Sequence, residues 1–70
     1  MKYVGTKQVL KAVQSGEITK VYIGKDVEGK VVEELIKTCK QNKIKIVYIP
    51  TMKELGKLAG IEIEAATAAE

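Results

Sequence analysis

Histidine, arginine, tryptophan and phenylalanine are all missing from this 70-residue chain, which holds one cysteine and one proline. Without histidine, the commonest acid–base residue and the commonest metal ligand are gone. Without arginine, guanine could be read in bidentate fashion only through lysine. Base stacking would fall to three tyrosines, since the other aromatic platforms are absent. A single cysteine forbids an internal disulfide and fits a reducing cytoplasm, the expected compartment. No apolar run approaches the roughly 20 residues of a membrane span, and Met1-Lys2-Tyr3 opens no signal-peptide pattern, so no membrane partner is expected.

What is present describes a small globular unit. Hydrophobic residues make up 46% of the chain, more than disordered segments carry. One domain over residues 1–70 is expected. A chain this short buries only about 60% of its unfolded surface, so the core is thin. All twelve basic residues are lysine, and against nine acids they leave a net charge of +3. That excess favours a polyanionic partner over an acidic one, although a lysine-rich surface also serves solubility.

The stretch Gly5-Thr6-Lys7-Gln8-Val9-Leu10-Lys11-Ala12-Val13-Gln14-Ser15-Gly16 organises the reading. It predicts a short helix with Thr6 as N-cap and Gly16 as C-cap. Val9, Leu10, Ala12 and Val13 form its apolar face, and Lys7, Lys11 and Gln14 recur on the other. Free N–H groups at a helix start, beside amide and lysine side chains, suit phosphate and base edges. A solvated outer face is the plain alternative.

Strands are predicted at Lys2-Tyr3-Val4, at residues 19–23 and at residues 44–49. The last of these, Ile-Lys-Ile-Val-Tyr-Ile, reads as a central strand covered on both faces. A second helix over residues 28–41 carries Val31, Val32, Leu35, Ile36 and Cys39 on its apolar stripe, with Glu33 and Lys37 paired outside and Asn42 as its stop. Thr51-Met52-Lys53-Glu54 is a capping box for a third helix, buried through Met52, Leu55 and Leu58 and closed by Gly60. Residues 61–64 alternate as a last strand or extended loop, and residues 65–70 are expected to fray. Alternating strands and helices argue for a layered α/β sheet.

No catalytic constellation emerges, and no enzyme, cofactor or metal site is expected. Gly24-Lys25 and Gly29-Lys30 lack the spaced glycines and the hydroxyl residue of a phosphate loop. Cys39 lies on an apolar stripe, where a buried, inert thiol is expected. The carboxylates are scattered and form no ligand cluster. Tyr3, Tyr22 and Tyr48 fall on strands, where they are expected to complete sheet packing rather than face outward.

Several stretches together resemble one known family. They are Gly5-Thr6-Lys7-Gln8 with Lys11, Val21-Tyr22-Ile23-Gly24-Lys25-Asp26, and Met52-Lys53-Glu54-Leu55-Gly56-Lys57-Leu58-Ala59-Gly60-Ile61-Glu62 with Ala65-Ala66. Spanning nearly the whole chain in order, they look like the ribosomal-protein L-seven-Ae / L-thirty-e family of kink-turn RNA binders, and most like its bacterial branch. The resemblance implies a three-layer α–β–α sandwich with a mixed sheet of about four short strands. It implies a sharply bent RNA internal loop with sheared G·A pairs as ligand, in ribosomal or regulatory RNA, with the ribosome a candidate setting. By position, the residues that read the RNA would be Gly5, Thr6, Lys7, Gln8 and Lys11, with Lys25 reaching phosphate. A second contact would come from the loop of about residues 61–66, with Ile61, Glu62, Ile63, Glu64 and Ala65 as its site residues and its apolar side chains covering a flipped nucleotide.

The chain departs from the family pattern in three ways. It starts almost at the first strand, its end is less apolar, and Glu64 brings a negative charge into the second RNA loop. The short ends predict uncovered edges and self-association. They also leave open an alternative, a protein-interaction or structural module of the same fold with weakened RNA binding.

Overall fold

A computed structural model describes residues 2–62 and 64–70. The elements run β1 (Tyr3–Val4), α1 (Thr6–Ser15), β2 (Lys20–Gly24), α2 (Lys30–Gln41), β3 (Lys45–Ile49), α3 (Met52–Ala59) and β4 (Thr67–Ala69). The sheet order is β1-β4-β2-β3, with β4 antiparallel to both neighbours and β2 parallel to β3. Successive crossovers from β1 to β2 and from β2 to β3 step the same way across the sheet. Because such crossovers share one hand, α1 and α2 fall on the same face. α3 takes the other face, which completes an α–β–α sandwich.

Each face has its own core. On one, Val9, Val13, Leu35 and Cys39 of the helices meet Val21, Ile23 and Ala69 of the sheet. On the other, Leu55 meets Ala65 and Ala68, with Tyr22, Ile49 and Ile61 half-buried around them. Alternation along β2 divides Val21 and Ile23 from Tyr22, as the strand period requires. Cys39 is fully buried, and burial pushes its thiol above the usual range.

The last strand differs most from the sequence reading. Residues 61–64 form no strand among those described, and Ile63 lies outside the described residues. The segment expected to fray instead supplies β4, whose Thr67, Ala68 and Ala69 are all 0% exposed. Alanine has little strand preference of its own. Backbone pairing on both flanks and helices over both faces override that preference here.

β3 is corrected the other way. It is an edge strand, with Lys45 exposed and Tyr48 47% exposed. Its apolar run arises because Ile44 and Ile46 serve one core and Ile49 the other. Tyr48, toward the end of this edge strand, joins neither core and stays about half exposed, whereas Tyr3 and Tyr22 pack on the two cores and donate their hydroxyls to Glu17 and Glu70.

The helices keep their expected places with local changes. Gly16, Asn42 and Gly60 are the C-caps, and Thr51 Oγ1 accepts from Glu54 N–H at 3.1 Å. Gly5, not Thr6, is the N-cap of α1; Thr6 turns its hydroxyl to that of buried Thr67, 3.3 Å away. α2 begins at Lys30, with Gly29 as N-cap, rather than at residue 28. Leu58 is 58% exposed, since the inward stripe of α3 is buried Leu55 and Gly56 flanked by half-buried Met52 and Ala59 at helical spacing. Val31 is 48% exposed at the open end of α2. Glu33 and Lys37 do not pair; among the described residues the one ion pair is Lys20–Glu70 at 4.0 Å.

Candidate functional site

α1 and α2 lie side by side, and their first turns open onto one groove of about 520 Å³. The stretch Gly5-Thr6-Lys7-Gln8 forms one wall, the start of α2 around Gly29 and Val31 the other, and Ala66 closes the end. The first wall is fixed by the turn out of β1. Gly5 adopts φ 103° and ψ 141°, which only glycine takes readily. Its N–H donates to the Thr67 carbonyl at 3.0 Å, which hangs the start of α1 on central strand β4.

Two helix N-termini facing one groove give it unpaired N–H donors and a positive dipole field. α1 has no acidic residue in its first turn, while Lys7, Gln8 and Lys11 are exposed on its outer side. Among the described residues no carboxylate lies within 4.0 Å of Lys7, Lys11 or Lys30. Val27, Val31 and Val32 make much of the second wall apolar, and Glu28 adds one carboxylate to it beside Gly29 and Lys30. Such a groove offers donors and cations to an anionic ligand and an apolar patch to something flat.

The other expected site residues are divided. Lys11 is one turn down α1 from the groove, and Lys25 is exposed in the loop after β2. Ile61, Glu62 and Glu64 line a separate hollow of about 410 Å³ with Lys53 and Lys57 of α3. Ala65 points inward, 3% exposed, so its neighbour Ala66 reaches the groove in its place. Ile63 lies outside the described residues.

The whole α2 wall escaped the sequence reading. Gly29-Lys30 fails as a phosphate loop, yet it repeats the glycine-to-helix start of Gly5-Thr6-Lys7. That repetition was the available signal. Among the described residues no group of acidic or sulfur side chains could hold a metal ion, and no helix is long and apolar enough to cross a membrane.

The profile of the ribosomal protein L7Ae/L30e/S12e/Gadd45 family matches residues 3–70. An RNA-binding protein of Caldanaerobacter subterraneus subsp. tengcongensis is 52% identical over 69 residues, covering 99% of this chain and 84% of that one. An RNA-binding protein of Halalkalibacterium halodurans is 44% identical over 66 residues, covering 94% and 80%. Among solved structures, a protein of unknown function from Bacillus halodurans C superposes with a TM-score of 0.85 at 27% identity, over 96% of this chain and 67% of that one. A Giardia lamblia 15.5kD RNA-binding protein gives 0.88 at 24% identity, over 96% and 57%, a likeness of fold.

Proposed function

The chain belongs to the ribosomal protein L7Ae/L30e/S12e/Gadd45 family, and from that premise we propose that it is a non-enzymatic RNA-binding protein whose target is a kink-turn internal loop. The observation that carries this reading is the joint opening of α1 and α2 onto one groove free of nearby ion pairs. A sharply bent backbone brings phosphates together, and two helix starts with lysines beside them suit that density of charge. Gln8 presents donor and acceptor to a purine edge. Lys7 and Lys11 hold phosphate or guanine acceptors, and Lys25 reaches the backbone from the next loop. Gly5 and Thr6 shape the turn, while Val31 and Ala66 give an unstacked base an apolar seat. Recognition of this kind rests on RNA shape and a few base edges, which suits a chain poor in aromatics.

One feature favours a second reading, a protein-interaction module with weak RNA binding. Glu62 and Glu64 are exposed beside the second hollow, where they would repel phosphate. Calorimetric titration with a kink-turn RNA and with the same RNA lacking its G·A pairs separates the two. Tighter binding to the kink-turn is expected. Equal affinity for both would reduce the protein to a general RNA binder, and no binding to either would favour the second reading.

A further inference from the structure

Two loops near the groove are fastened to the backbone of one residue, Met52, through the two peptide groups that flank its Cα. Met52 is the first residue of α3, so its N–H has no partner within the helix. That N–H donates to Asp26 Oδ1 at 2.8 Å, from the loop that follows β2. The Met52 carbonyl accepts from Ala65 N–H at 3.1 Å, from the segment that leads into β4. Two further bonds close the arrangement: Gly24 N–H to the Ala66 carbonyl at 3.0 Å, and Lys25 N–H to the Ile49 carbonyl at 2.8 Å. Gly24 belongs to it for a steric reason. A Cβ at that position would lie 3.1 Å from Met52 N and 3.2 Å from Asp26 Oδ1.

A side-chain carboxylate at a helix start is favoured by the dipole, and its bond to a backbone N–H is of the stronger, charge-assisted kind. The remaining bonds are backbone to backbone, so Asp26 is the one side-chain link in the set. Asp26 also sits directly between Lys25 and Val27, the latter lining the groove.

We infer that Asp26 is a positioning residue. It holds the loop of Lys25 and Val27 against α3 and, through the backbone of Met52, fixes buried Ala65 and with it Ala66, which lines the groove. The two loops then move as one body rather than independently. The role given to Asp26 requires no contact with RNA, and only the expression of that role in affinity rests on the function proposed above.

Amide hydrogen exchange and RNA titration of Asp26→Ala and Asp26→Asn test it. Asp26→Ala is expected to speed exchange at both Met52 and Ala65 by about tenfold, the scale of one lost hydrogen bond. Val21, in the sheet, should stay slow. Affinity for kink-turn RNA should drop by up to about tenfold, with a duplex control little changed. Asp26→Asn keeps an acceptor oxygen and should restore both readouts. If Asp26→Ala does not fold, Asp26→Glu, with its carboxylate displaced by one methylene, replaces it and should show the same ordering. Unchanged exchange at Ala65, or an Asn variant as impaired as the Ala variant, would overturn the inference. If the wild-type chain binds no kink-turn RNA, the proposed function fails while the exchange at Ala65 still decides the role of Asp26.

Discussion

Gln8 and Lys11 lie one turn apart on the exposed side of α1, yet they are expected to answer different questions about RNA. If Gln8 reads a base edge, Gln8→Ala should cost about 1–3 kcal/mol on a kink-turn and narrow the gap to a duplex control. If Lys11 neutralises phosphate, Lys11→Ala should weaken both RNAs together and flatten the salt dependence by roughly one ion or less. Lys37, exposed on α2 and outside the groove, is the control and should barely matter. Should Gln8→Ala and Lys37→Ala behave alike, α1 presents only a solvated face. Cys39 belongs to this scale as well. Its burial predicts that a thiol reagent modifies native protein far more slowly than urea-unfolded protein, and equal rates would contradict it. Residue identity made the α1 wall and the burial of Cys39 legible in the chain. Val31 was not, because an exposed valine at a helix start looks the same in sequence as a buried one.

Within α3, two leucines three residues apart have opposite fates. Leu55 is fully buried, and Leu55→Ala should destabilise by about 2–5 kcal/mol in urea denaturation. Leu58 is mostly exposed, and Leu58→Ala should stay within about 0.5 kcal/mol. Caps, glycine stops and apolar periodicity were enough to locate all three helices. Strands were harder, because their burial is decided by neighbours far away in sequence. The apolar run of β3 ended up on an edge, whereas small, unassertive Thr67-Ala68-Ala69 took a central place. There the alanines leave no room for more. Ala68→Leu should cost about 1–3 kcal/mol through overpacking, and a neutral result would mean that the layer beneath α3 is loose.

For the molecule as a whole, two tyrosines tie separate parts of the chain together. The Tyr3 and Tyr22 phenols are raised above 10.0, first because each hydroxyl donates to a carboxylate, Glu17 or Glu70, and then by desolvation. The folded state therefore holds these protons more tightly than the unfolded chain. Their contribution is whole below the unfolded value and is lost as pH climbs through the raised folded ones. Melting temperature should fall in that alkaline window, and less steeply in a Tyr3→Phe, Tyr22→Phe double variant. Identical slopes would mean that these exposed bonds add nothing. The open flank of β3 should permit self-association at high concentration, with Lys45 and Pro50 limiting it. Sedimentation as a clean monomer at high concentration would count against this.

The central place of β4 bears on how the protein comes to exist. Tyr3 pairs with Ala69 and Val21 pairs with Ala69 on its other side, so the sheet has a gap until the last strand arrives. A ribosome delivers that strand after every other element. The nascent chain can assemble β2, α2 and β3 early, since their contacts are local, but β1 has nothing to pair with until residues 67–69 are free. Completion of the sheet during synthesis is thus held back until residues 67–69 have emerged, with both sides of the gap exposed to chaperones or to other chains in the interval.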